Sequence, residues 1–126
     1  VAVGLALRFG VAAWRRWEAD AYRRAALAEC RTLRMAVSRD PDVARALPVL
    51  VKRTALAAFP RESVAGLTGA AWLAFLDATG RTHAFADGPG RALVPLAYDP
   101  RATLDRPATE ALLDVVQRWI TEHRPC

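Results

Sequence analysis

The chain has 126 residues, 53% hydrophobic and 25% charged, which suits one folded domain with a single core and argues against a disordered chain. Its formal charge is +5, but seven arginines face only Glu18, Asp20 and Glu29 over the first 34 residues. The remainder is near neutral, so the composition describes a basic stem on a neutral domain and argues against a broad nucleic-acid surface. Cys30 and Cys126 form neither a CxxC pattern nor a disulfide framework, which points to a reducing compartment.

The chain opens VAVGLALRFGVAAWRRWEADAYRR. A helix over Val1–Trp14 would rise about 21 Å, short of the roughly 30 Å of hydrocarbon that a span must cross. Residues 1–14 are therefore expected to be the C-terminal part of a transmembrane helix, with further apolar residues upstream. A signal peptide fits less well, because the basic residues follow the apolar run instead of preceding it. Trp14, Trp17 and Tyr22 stand where that run ends, and rings with one polar atom collect at membrane–water boundaries. Arg15, Arg16, Arg23 and Arg24 follow, and the positive-inside rule places such a flank in the cytoplasm. These seven residues are the expected membrane-interface set, with lipid as the partner. Arg8 lies within the apolar run and has to snorkel or face a partner helix. The competing arrangement is a soluble amphipathic helix packed on its own domain.

Residues 15–39 read as a basic juxtamembrane helical stem continuous with the span. Tyr22, Ala26, Cys30, Leu33 and Val37 recur at helical spacing, and Cys30 on that stripe is expected as a small buried hydrophobe. Asp40-Pro41 ends the stem and opens a helical domain over 40–126. Pro48 divides the next segment into a short helix to about Ala46 and a second from Pro48 to Phe59, stopped by Pro60.

Thr68 is the expected N-cap of a helix over Gly69–Ala78, with Gly80 as a left-handed C-cap. Trp72, Leu73, Phe75 and Leu76 are apolar nearly all round and predict a helix at the centre of the core. The stretch HAFADGPGRALVPLAYDP reads as a long connection with a turn at Asp87–Gly90, pinned by Leu93, Leu96 and Tyr98. The last helix is expected from about Pro107 to Glu122, with Leu112, Val115, Val116, Trp119 and Ile120 on one stripe. The predicted core is Trp72, Phe75, Leu76, Leu112, Val115 and Trp119. The fold class is all-α: a small irregular helical bundle on a long N-terminal helical stalk.

Chemistry-bearing patterns are sparse. Ser63 in ESVAG lacks the first glycine of a nucleophile elbow. His83 and Asp87 are four apart, but in a glycine- and proline-rich stretch that spacing fixes no geometry. His123 and Cys126 make half a zinc site with no second pair. The GPG turn lacks the GK[ST] of a phosphate loop. A helix reading GAAWLAFLDA presents no polar side chains to base edges, unlike a recognition helix. Asp77, Asp87, Asp99 and Asp105 read as solvated turn and cap carboxylates. No catalytic, cofactor-binding or metal-binding residue is assigned, and the expectation is a protein that is not an enzyme.

The segments WRRWEADAYRRAAL, KRTALAAFPRESVAGLTGAAWLAFLD, FADGPGRAL and a terminal RWI resemble the domain of unknown function 4381 family. These are small bacterial membrane-anchored proteins encoded beside MoxR-type AAA+ ATPases and von Willebrand factor A domain membrane proteins. One residue departs from the pattern: the position after Gly69, often acidic in the family, is Ala70 here, which removes a helix-dipole charge. The resemblance implies a single-pass inner-membrane protein with residues 15–126 in the cytoplasm, and those neighbours as partners. It brings no catalytic residues and no cofactor. The expected function is a membrane-tethered, non-enzymatic adaptor, with His83, Phe85, Asp87, Arg91 and Tyr98 of the connection Arg81–Asp99 as the partner-contacting residues. The alternative is a peripheral binder of anionic lipid, or of nucleic acid, through the basic stem, whose binding would weaken steeply with salt.

Overall fold

The computed structural model describes residues 2–124; Val1, Pro125 and Cys126 lie outside the described residues, and with Cys126 one member of the half zinc pattern set aside above. The described residues are all-helical, without a strand. In chain order they form α1 (Ala2–Ala19), α2 (Ala21–Ala36), a 3-10 turn (Val43–Arg45), α3 (Ala46–Ala58), α4 (Arg61–Val64), α5 (Gly69–Gly80), a second 3-10 turn (Pro89–Ala92), α6 (Leu93–Tyr98) and α7 (Arg106–Glu122).

The bundle is built around α7. Asp105 caps it, its carboxylate accepting from the Ala108 amide at 2.8 Å, and Pro107 sits in the first turn, where a missing N–H loses no helical bond. Leu112, Leu113, Val116, Trp119 and Ile120 are all buried, whereas Val115 is half-buried. Buried Leu113 widens the expected stripe because α7 is covered from several sides, by α2, α3, α5 and the second 3-10 turn.

The expected single stalk helix to Arg39 is two helices. They meet at Asp20 (φ −92°, ψ 1°), and α2 ends at Ala36. Ala26 and Cys30 are buried where α2 lies along α7 and α3, as the stripe predicts, with Tyr22, Leu33 and Val37 half-buried at its edges. Pro48 does not divide α3. It falls in the first turn, where its nitrogen has no helical bond to lose, so the helix runs unbroken from Ala46.

Two expectations about α5 are corrected. It lies on one side of α7 instead of at the centre. Trp72, Leu73 and Leu76 are buried and Phe75 is half-buried, but Ala70, Ala71, Ala74 and Ala78 face outward. Alanine is apolar enough to read as core and small enough to leave exposed, so composition alone could not separate the two faces. The left-handed C-cap is Arg81 (φ 54°), not Gly80. Gly80 is the last helical residue, and its lack of a side chain serves packing: a Cβ there would lie 2.7 Å from Cδ1 of Trp119. Thr68 precedes the helix but makes no side-chain capping bond.

The connection after α5 is ordered by specific bonds. Asp77 is no solvated carboxylate: its two oxygens accept from the Phe85 and Ala86 amides at 2.9 and 3.0 Å. Phe85 is thereby turned inward and fully buried, with Gly90 so close to its ring that a Cβ would sit 2.5 Å from Cδ1. Leu93 and Leu96 of α6 are buried, whereas Tyr98, expected to help pin the segment, is 66% exposed. Arg45 pins the far end, its guanidinium donating to the Pro100 and Ala102 carbonyls at 2.6 Å each and to the Asp99 carbonyl at 3.3 Å.

Candidate functional site

Helix α1 has no cover. Val3, Leu7, Phe9, Trp14 and Trp17 are between 59% and 73% exposed, and Leu5 and Val11 are exposed as well. Apolar side chains point outward on all sides of the helix, so no single apolar stripe packs on the bundle. Arg8, Ala12, Arg15 and Arg16 share one flank of the helix. No helix among the described residues is long and apolar enough to cross a membrane. At the end of α1 the Arg24 guanidinium stacks 4.1 Å from the Trp17 ring centroid and donates to the Trp17 carbonyl at 3.0 Å.

The seven interface residues divide. Trp14, Arg15, Arg16, Trp17 and Arg24 are exposed. Tyr22 and Arg23 turn instead into the bundle, where they meet His123, which stands out in the sequence only as half of a zinc pattern. His123 is buried just past the end of α7, its ring stacked on Trp119 with centroids 4.5 Å apart. Nδ1 lies 2.9 Å from the Trp119 carbonyl, which can only accept, so Nδ1 carries the proton and Nε2 accepts from the Tyr22 hydroxyl at 2.7 Å. Arg23 donates to the Ile120 and Thr121 carbonyls at 2.7 and 2.9 Å, satisfying groups that the end of α7 leaves free. Burial, opposed by the bond to Trp119 and aided by Arg23, pulls the His123 pKa below its ordinary value. Burial likewise raises that of Tyr22. These bonds latch the start of α2 to the end of α7.

A groove of about 660 Å³ opens on another face of the bundle. One wall is the stripe Arg45, Pro48, Val49, Lys52 and Leu56; the other is α6, with Leu67 and Trp72 adding to the lining. Lys52 donates to the Leu67 carbonyl at 3.0 Å and sits 4.2 Å over the Trp72 ring, and burial lowers its pKa. The i, i+3, i+4, i+7 spacing of this wall runs across Pro48, where a break is expected, and the wall facing it depends on where α6 folds.

The residues expected to contact a partner divide by exposure. His83, Asp87, Arg91 and Tyr98 are exposed, while Phe85 is a core residue and unavailable to a partner. His83 and Asp87 are joined through the backbone, the Asp87 amide donating to the His83 carbonyl at 3.0 Å, as in a turn. Burial pushes the Cys30 thiol up to about 11 in spite of nearby Arg34, which keeps it protonated and unreactive. Among the described residues no group of three or more His, Cys, Asp or Glu side chains could hold a metal ion.

The family model described as Domain of unknown function (DUF4381) matches residues 1–122, and the chain belongs to that family. No curated protein and no solved structure matches the chain.

Proposed function

We propose that the protein is a membrane-tethered, non-enzymatic adaptor. The observation that carries this reading is α1, whose large apolar side chains from Val3 to Trp14 are exposed. A patch of this kind marks a surface that another phase or molecule covers. Ala2–Trp14 would supply the part of a span next to its cytoplasmic boundary, with Trp14, Arg15, Arg16, Trp17 and Arg24 at the headgroups of a bacterial inner membrane. The latch of Tyr22 and Arg23 on the end of α7 would then hold the bundle close to that surface. The resemblance to a family encoded beside MoxR-type AAA+ ATPases and von Willebrand factor A domain membrane proteins supports these as the proteins that the adaptor joins.

A second reading has a specific observation in its favour. Arg8, Arg15 and Arg16 share a flank of α1, as in a helix lying in the plane of an anionic membrane. Extraction of native membranes separates the two. Retention through carbonate and high salt, with a tagged MoxR-type or von Willebrand factor A protein recovered in the same detergent pull-down, is the expected result. Release of the chain by salt alone overturns the span and leaves the basic face as the membrane contact.

A further inference from the structure

The groove between α3 and α6 combines three features. It is long: Arg45 to Leu56 follow one face of a helix for about 16 Å at the α-helical rise. Its rim is apolar and open, with Val49 62% and Tyr98 66% exposed. Its charge is of one sign, since Arg45, Lys52 and Arg53 line it and no carboxylate does. Arg53 is paired with Glu29. Arg45 and Lys52 are bonded only to carbonyls, and neither has a carboxylate partner among the described residues. The terminal N–H groups of Arg45 are taken by four carbonyls, but neither positive charge has a counter-ion among the described residues, so a carboxylate laid along the groove is attracted by both.

We propose that this groove docks an acidic amphipathic helix of a partner protein, apolar side chains seated between α3 and α6 and Asp or Glu side chains along its flank. This rests on the adaptor reading and names the surface through which it acts. Three turns of groove with an open apolar rim suit a helix laid lengthwise. The chain's own uncovered helix has the wrong charge to fill it in a second copy, because α1 carries Arg8, Arg15 and Arg16.

The test is photo-crosslinking in the native cells, with the full chain carrying benzoylphenylalanine in place of Val49, Tyr98 or, as a control, exposed Ala74 of α5. The adduct is digested and the attached segment sequenced. Positions 49 and 98 are expected to capture one and the same segment, helical in its apolar spacing and rich in Asp and Glu, and position 74 to capture none of it. With the probe at position 98, Val49→Asp is expected to lower the yield about tenfold, while Val49→Lys leaves it within about twofold. Thermal melts of both variants confirm that the fold is intact. Adducts with lipid, with a second copy or with a segment lacking acidic residues overturn the proposal. No adduct at 49 and 98, or equal loss with Asp and Lys, overturns it too. Carbonate extraction of the same cells tests the tether separately: a chain released by salt that still gives the acidic adduct loses the span and keeps the groove, and a retained chain without the adduct does the reverse.

Discussion

The Tyr22 hydroxyl donates a 2.7 Å hydrogen bond to Nε2 of His123, across 101 residues of sequence. It ties the first turn of α2 to the last turn of α7, and Arg23 reinforces it on two carbonyls of the same turn. Tyr22→Phe keeps the ring and removes the donor, which leaves a buried imidazole nitrogen without a partner. The expected loss is about 1–3 kcal/mol in urea unfolding, with faster amide exchange concentrated in the first turns of α2. An unchanged exchange pattern there would show that the latch holds nothing.

The same histidine makes stability depend on pH. Its folded pKa lies below the ordinary value of 6.5 because burial, with the Arg23 guanidinium nearby, disfavours the cation. As pH falls through that value the unfolded chain takes up the proton first, so stability is full above it and declines below it. The decline levels off only beneath the folded pKa. The urea midpoint is expected to drop between about pH 7.5 and about pH 5.5, and His123→Gln to flatten that slope whatever it does to the absolute midpoint.

Gly80 and Gly66 give opposite expectations for one substitution. Gly80→Ala drives a methyl group to 2.7 Å from the Trp119 indole, and such overpacking is expected to destabilise by about 1–3 kcal/mol. At Gly66 a Cβ meets nothing within 4 Å, and alanine there is expected to be neutral or to stabilise by about 0.4–1 kcal/mol through the unfolded chain. Paired thermal melts measure the difference, and equal effects would place Trp119 elsewhere.

Arg45 carries the segment after α6. Arg45→Met preserves the apolar stem and removes the bonds to the Asp99, Pro100 and Ala102 carbonyls. The expected loss is about 1.5–3 kcal/mol, as for hydrogen bonds to a charged group. Limited proteolysis should show earlier cleavage between Leu96 and Ala102. Cleavage at the wild-type rate would mean that Leu93 and Leu96 suffice to hold the segment.

Elements are legible in the sequence where local chemistry and burial coincide. The end of the chain is the clearest case: Pro107 and the apolar stripe specify a first turn and a buried face, and α7 follows within one residue of the expected bounds. Cys30 was legible for the same reason. Elsewhere the deciding partner is distant in sequence. Gly80 looks like a helix terminator until Trp119 is seen against it, and Asp77 looks solvated until the chain returns with the Phe85 and Ala86 amides. His123 shows locally only as half of a zinc pattern, whereas its role is defined by Tyr22, 101 residues away. The groove is not legible in the sequence: its α3 wall runs across Pro48, where a break is expected, and its other wall depends on tertiary folding.

Asp20 changes the backbone angles between α1 and α2 and breaks the helical ladder there, but two of its own bonds bridge the junction. Its amide donates to the Arg16 carbonyl and its carbonyl accepts from the Arg24 amide, each at 3.1 Å. The two helices therefore stay geared to one another, and the latch gears α2 to α7 in turn. The compass bearing of the α3–α6 groove around the α1 axis is thus fixed by the number of residues between Trp14 and Tyr22. One residue added there would swing the bundle by about 100°, at 3.6 residues per turn, and turn the groove toward a different neighbour with every side chain of the bundle unchanged.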